Sequence, residues 1–257
     1  MNIVFYGFVG SFVAGLMTSV GAIPILFGRS ITVRFQDTLL GFAAGVMLAA
    51  SFFSLIIPGL EYSTQLYGEG LLPPLIVVSG LMIGVITIGI INEKAPHEHF
   101  IMGVEGPPTK SLLKIWLLVI AITIHNFPEG LAVGVGFGSG DFSNAISLTI
   151  GIGLQNAPEG LAVALALASE GYSRIYSFFV ASLTGLVEPV GGLIGALVVT
   201  YSEHMLPWGL AFAARAMLYV ISHEIIPETH SRGYHNQATA GLTVGLVIMM
   251  FLDVYLG

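Results

Sequence analysis

The chain has no cysteine, so neither disulfides nor thiolate ligands are available to it. Charge is scarce as well. Only 9% of the 257 residues are Asp, Glu, Lys or Arg, against roughly 25% in a soluble domain. Lysine and arginine number 8 against 15 acids, leaving a net charge of -7. That balance gives no basic footprint, and no nucleic-acid partner is expected. In their place stand hydrophobic residues at 55% and 33 glycines. The surplus apolar surface must face lipid. The glycines suit helices that pack closely in a bilayer.

A bilayer core takes about 20 predominantly apolar residues per helix. Eight stretches qualify, at approximately 3–27, 36–60, 71–92, 111–138, 143–168, 174–200, 205–226 and 235–256. The expectation is an all-α membrane protein, one domain over 1–257 with no soluble module. The first stretch has no basic start and is long enough to span, which argues against a cleaved signal peptide. The longest polar connection, 93–110, holds Glu93, Lys94, His97, Glu98, His99, Glu105 and Pro107-Pro108.

The basic residues Arg29, Arg34, Lys94, Lys110, Lys114, Arg174 and Arg232 all fall on one side of this eight-span arrangement. Positive-inside bias puts that side, with the 93–110 loop, in the cytoplasm and both termini outside. The opposite loops carry Glu61, Glu69, Asp141 and Glu203, which could raise the local concentration of a cation, although short connectors need soluble residues in any case.

One pattern occurs twice, thirty residues apart: His125-Asn126-Phe127-Pro128-Glu129-Gly130 and Gln155-Asn156-Ala157-Pro158-Glu159-Gly160. Carboxylates inside apolar spans are unfavourable unless compensated. His125 and Glu129 lie four apart and so share a helix face, as do Gln155 and Glu159. Asn126 and Asn156 share a neighbouring face. If the faces meet, nitrogen and oxygen donors converge halfway through the membrane. Such a set suits a borderline divalent metal such as zinc, and also iron or manganese. Pro128 and Pro158 each free a carbonyl, of Ile124 and Leu154, and should bend their helices. Gly130 and Gly160 let other helices close in. One such copy is readily explained as a kinked packing helix with a protonated glutamate. Two aligned copies favour a site.

Glu188-Pro189 lies at the same depth, with the same logic. Met47 is also mid-span, where a lone thioether is usually packing. Arg215 at mid-depth needs a partner. Either it occupies part of the Glu129, Glu159 and Glu188 cluster, limiting it to one metal, or it bonds backbone away from the site. Three carboxylates and one guanidinium leave two negative charges, which a divalent ion would balance. His223 and Glu224 suit an inward relay, with Glu228 and His230 as an inner cluster. His97 and His99 suit acceptance of released metal, although a two-histidine loop is ordinarily just solvated. Asp253 is an entrance candidate.

At these residues the chain resembles the ZIP (Zrt/Irt-like) family of metal transporters, most closely its bacterial members. The paired motifs at 125–130 and 155–160 look like the family's fourth- and fifth-span signatures. GFAAGVMLAASFFSLIIPGLE at 41–61, LVEPVGG at 186–192 and SHEIIPETH at 222–230 extend the resemblance over nearly the whole chain. It implies eight helices in a 3+2+3 arrangement, with spans 1–3 and 6–8 related by an inverted repeat. It further implies metal import across a bacterial inner membrane and, in at least some members, a homodimer. Matched by position, Met47, His125, Glu129, Gln155 and Glu159 resemble a first metal site. Asn126, Asn156 and Glu188, with the shared Glu129 and Glu159, resemble a second. His223 and Glu224 resemble the release path. Asn156 stands where some close relatives carry aspartate, and Arg215 where a small residue is more usual. Both departures weaken a two-metal reading.

The activity expected is therefore inward carriage of a divalent cation, zinc first, with iron, manganese or cadmium open, and with no catalytic cofactor. Metal entry should displace protons, so binding should weaken at low pH. A passive metal channel uses the same residues. An intramembrane metalloenzyme would need an open metal position, and no HExxH pattern is present. A metal-sensing receptor would want a signalling domain, and none is visible.

Overall fold

A computed structural model describes residues 2–28, 31–94, 97–99, 103–105 and 114–256. Arg29, Pro107, Pro108 and Lys110 lie outside the described residues. So do the side chains of Glu93, Lys94, His97, Glu98, His99 and Glu105.

Helix α1, Ile3–Ala22, tightens into a 3-10 turn over Ile23–Phe27. Helix α2, Val33–Ala50, widens into a π-helical stretch, Ser51–Ile56, and continues as α3, Ile57–Tyr67. Helix α4 covers Leu72–Lys94. A two-stranded antiparallel ribbon follows, β1 His97–His99 with β2 Gly103–Glu105. Helices α5, Lys114–Gly138, and α6, Phe142–Ser169, carry the paired motifs. Helix α7, Arg174–Gly185, breaks before α8, Glu188–Tyr201. Helix α9, Leu206–Val220, follows a short 3-10 turn. It widens into a second π-helical stretch, Ile221–Ile225, and continues as α10, Ile226–Ser231. Helix α11, His235–Leu256, ends the chain.

Among the described residues, seven helical segments are long and apolar enough to cross a membrane. Helix α5 adds 25 residues, about 37 Å at 1.5 Å per residue. Local chemistry sets the ends. Asn2, Thr32, Asp141 and Ser173 each accept a backbone N–H of the first turn they precede, meeting donors the helix leaves unmade. Gly140 and Gly171, at φ 82° and 89°, turn the chain on either side of α6, a backbone state that side chains resist.

The two proline breaks explain why helices two and seven run past the expected ends at 60 and 226, to Tyr67 and Ser231. Pro58 and Pro227 sit in the first turn of α3 and α10, where a missing N–H is tolerated. The widened turn before each absorbs the misfit. Pro58 would have bonded the carbonyl of Ser54. That carbonyl instead accepts the Asn144 side chain of α6 at 3.2 Å.

The helices pack as two groups. Helices α1, α5, α6 and the α7–α8 pair contact one another. Helix α2 lies along α11, and α4 along α9, in the second group. The groups meet where α6 lies on α2 and α11, and where α5 lies on α9. Met47, Leu148, Ile152, Leu210, Met217 and Met249 are fully buried in the core. Large side chains such as Phe5, Phe179, Leu183, Leu197 and Phe251 face outward. In water that surface would be a liability; in lipid it is the required one.

Candidate metal site

Pro128 and Pro158 sit inside continuous helices, and the glycines two residues later bring neighbours against them. A methyl group at Gly130 would run into the backbone of Glu188, and one at Gly160 into the backbone of Thr18. Helix α5 thus touches α8, and α6 touches α1, at the level of the two motifs. The α7–α8 break puts Glu188 in the first turn of α8, where the helix dipole favours a negative charge.

These approaches pair the side chains. Gln155 Nε2 donates to Glu129 Oε1 at 2.7 Å. Asn156 Nδ2 donates to Glu188 Oε1 at 2.7 Å and to the Ala14 carbonyl at 2.9 Å. His125 Nε2 lies 2.6 Å from Glu224 Oε1. Glu129, Gln155, Asn156, Glu159 and Glu188 are all buried.

The pairing is incomplete. Six buried oxygens lack a hydrogen-bond partner: Glu129 Oε2, Gln155 Oε1, Asn156 Oδ1, Glu159 Oε1, Glu188 Oε2 and Asn126 Oδ1. Asn126 Nδ2 lacks one too. Left without a partner, a buried polar group costs about 1–3 kcal/mol. Almost every unmet atom is an acceptor, and a cation is the species that satisfies acceptors in number. Among the described residues no three His, Asp or Glu side chains form a preformed metal cluster. A metal here would draw on amide oxygens alongside carboxylates.

The other residues singled out from sequence fall as follows. Met47 is fully buried in α2, which packs on α6. Arg215 is not brought to the carboxylates. A methyl at Gly84 would meet its Cβ at 2.9 Å and Cγ at 3.2 Å, so its stem lies against α4. None of the ion pairs among the described residues includes it. The His223 ring lies 4.8 Å from the Tyr219 ring, tilted by 40°. His230 places Nδ1 2.9 Å from the Ile226 carbonyl and Nε2 3.3 Å from Thr239 Oγ1. Glu224 sits in the second π-helical stretch and reaches His125. Asp253 accepts from Ser54 and Ser147, each at 2.8 Å.

Sequence reasoning passed over Ser54, Asn144 and Ser147, which tie α6 to the second group of helices. It also passed over Asp37, which is fully buried and bound to Arg232. Small polar residues in apolar helices look like packing, and their partners are far away in sequence.

Residues 91–253 match the sequence profile described as ZIP Zinc transporter. The chain is 44% identical to "Zinc transporter GufA" of Myxococcus xanthus, with 98% of this chain and 99% of the relative covered. It is 43% identical to "Zinc transporter ZIPB" of Bordetella bronchiseptica, covering 98% and 82%. It is 35% identical to human "Zinc transporter ZIP11", covering 99% and 98%.

Proposed function

The chain belongs to the ZIP zinc-transporter family, and from that premise we propose that it carries a divalent metal cation, zinc first, into the cytoplasm through the cluster on α5 and α6. It is a multi-pass membrane protein, and its relatives' names point to transport of a metal cation rather than catalysis. The finer reading is ours. It takes α5 as an eighth span and 1–257 as a single 3+2+3 domain with both termini outside. The seven basic residues on one side of that topology support the orientation.

The observation that carries the proposal is the set of six unsatisfied buried oxygens where the two motifs meet. Glu129 and Glu159 bind the ion directly. Gln155, Asn156, Asn126 and Glu188 turn their free oxygens to it, exchanging hydrogen bonds for metal contacts. His125 and Met47 complete the shell. His125 already touches Glu224, so the ion has a next ligand on the way in, with His223 and His230 beyond. Asp253 stands at the entrance with Ser54 and Ser147. Apart from Met47 on α2, the site lies on the group formed by α1, α5, α6 and α7–α8. Movement of that group against α2, α4, α9 and α11 gives the two sides access in turn.

The test is radioactive zinc uptake into sealed vesicles holding the protein, with competing cadmium, iron and manganese. Saturable uptake that Glu159→Ala abolishes supports the proposal. Uptake by Glu159→Ala at the wild-type rate defeats it.

A further inference from the structure

Glycines draw four helices into two tight pairs. A methyl group at Gly80 would meet the Ala211 side chain at 2.8 Å, so α4 lies hard against α9. One at Gly195 would meet the Leu131 carbonyl oxygen at 2.6 Å, so α8 lies hard against α5. Between the pairs is a cavity of about 340 Å³. Gly80, Ile83, Val135, Val198, Trp208 and Gly209 are among its walls. The α5–α8 pair belongs to one helix group and the α4–α9 pair to the other, so the cavity lies in the seam between the groups. Val135 is near the end of α5, Val198 near the end of α8 and Trp208 in the first turn of α9. On the proposed orientation this end of the bundle is in the outer leaflet.

The lining is apolar side chains and glycine, with no charged, hydroxyl or amide group. Water settles where about two to four polar partners hold it, and these walls offer it no such set. An apolar cavity of about 150 Å³ already takes up a benzene ring, and this one is more than twice as large. Unfilled space would forfeit dispersion contacts along the whole lining. The cavity is continuous with the lipid-facing surface, because three of its wall residues are also exposed there: Ile83 at 48%, Val198 at 40% and Met205 at 43%. What stands outside them is hydrocarbon. A helix of a second copy, about 10–12 Å across with its side chains, is too thick to enter a space of this volume. An acyl chain is thin, flexible and already at the opening.

We propose that this cavity binds one lipid acyl chain, which enters sideways from the outer leaflet and leaves its headgroup at the membrane surface, and that the chain braces the two helix groups against each other. The binding site stands on the cavity and its continuity with the lipid-facing surface. The bracing rests on the transport reading above, in which those groups move.

The test uses the full chain in phosphatidylcholine vesicles, with a small share of the lipid carrying a diazirine in its acyl chain. Light fixes that chain to the residues it touches, and mass spectrometry locates them. Ile83, Val198 and Trp208 are labelled more heavily than Phe251 and Val254, which are exposed on α11 at the same end of the bundle. Val198→Trp fills the cavity from one side and Ile83→Trp from the other. In each, labelling of the remaining walls is lost while that of Phe251 and Val254 persists. Wild-type walls labelled no more than Phe251, or labelling unchanged in either folded variant, overturns the site; should neither variant fold, the wild-type comparison decides alone. The chain has no cysteine, so Val198→Cys reports on a rival occupant. Unlabelled walls with disulfide-linked dimers of Val198→Cys would give the cavity to a side chain of a second copy and overturn the proposal. For the bracing, Val198→Trp takes up zinc several-fold more slowly than wild type, and uptake at the wild-type rate overturns it. Absence of zinc uptake by the wild-type protein would defeat the transport reading and the bracing with it, while the labelling still decides the site.

Discussion

Gly130→Ala is the smallest change that should displace the metal site. The added methyl carbon would lie 2.5 Å from Cα and 2.6 Å from the carbonyl carbon of Glu188. Carbon pairs prefer roughly 3.5–4.0 Å, so α5 and α8 must part by about 1 Å. The obstacle is backbone, and no side chain can rotate away. Overpacking of this kind costs about 1–3 kcal/mol, which should lower the melting temperature in detergent by several degrees. Glu188 moves with α8, and its 2.7 Å bond from Asn156 lengthens or breaks. Losing even an outer partner of a metal ligand weakens metal binding about 10–100-fold, and Glu188 and Asn156 are proposed to touch the ion, so zinc affinity should fall at least that far. The informative control is Gly134→Ala. It lies one turn along the same seam, where the added methyl would strike the backbone of Gly192. It should lower stability to a similar extent and leave zinc affinity closer to wild type. Melting by fluorescence and affinity by zinc titration separate the two effects. Equal loss of zinc affinity in both variants, or none in Gly130→Ala, would refute the reasoning.

Asn144→Ala removes the side chain that bonds the Ser54 carbonyl freed by Pro58. Leaving that carbonyl unmet should cost about 1–3 kcal/mol, read as a lower melting temperature, while Asn144→Asp should not rescue it because a carboxylate cannot donate. Arg215→Met keeps the stem against Gly84 and removes the charge. Since Arg215 is in no ion pair with the site, the number of zinc ions bound per chain should not change. An added zinc would restore the idea that Arg215 fills part of the acidic cluster.

The paired donors were legible because each glutamate carries its partner one turn away and its close-packing glycine next door. Gln155 and Glu129 meet as the shared faces required. Other features left no local signal. The Arg232–Asp37 contact joins residues 195 apart, and Ser54–Asp253 residues 199 apart. Hydrophobicity cannot say which lone polar side chains find each other over such distances. The α7–α8 break was marked only by Glu188-Pro189, which reads equally well as a kink. The π-helical stretches had a subtler sign. Phe42-Ala43-Ala44 with Met47-Leu48 recurs as Phe212-Ala213-Ala214 with Met217-Leu218, and both runs end in Ile-Ile-Pro, at 56–58 and 225–227. The spacing between the halves differs by one residue in the two copies. Such a one-residue slip before a proline is what a widened turn takes up. For Arg215 the sequence left two places open, in the acidic cluster or against backbone away from it. A central charge needs compensation, but depth alone does not reveal which side of α9 it faces.

Anomalous X-ray scattering at the zinc edge, from crystals of the zinc-loaded protein, addresses the central claim most directly. The account predicts a peak between α5 and α6, within about 2.0–2.2 Å of carboxylate oxygens of Glu129 and Glu159. Zinc bound elsewhere, with the Gln155–Glu129 and Asn156–Glu188 hydrogen bonds intact, would contradict it.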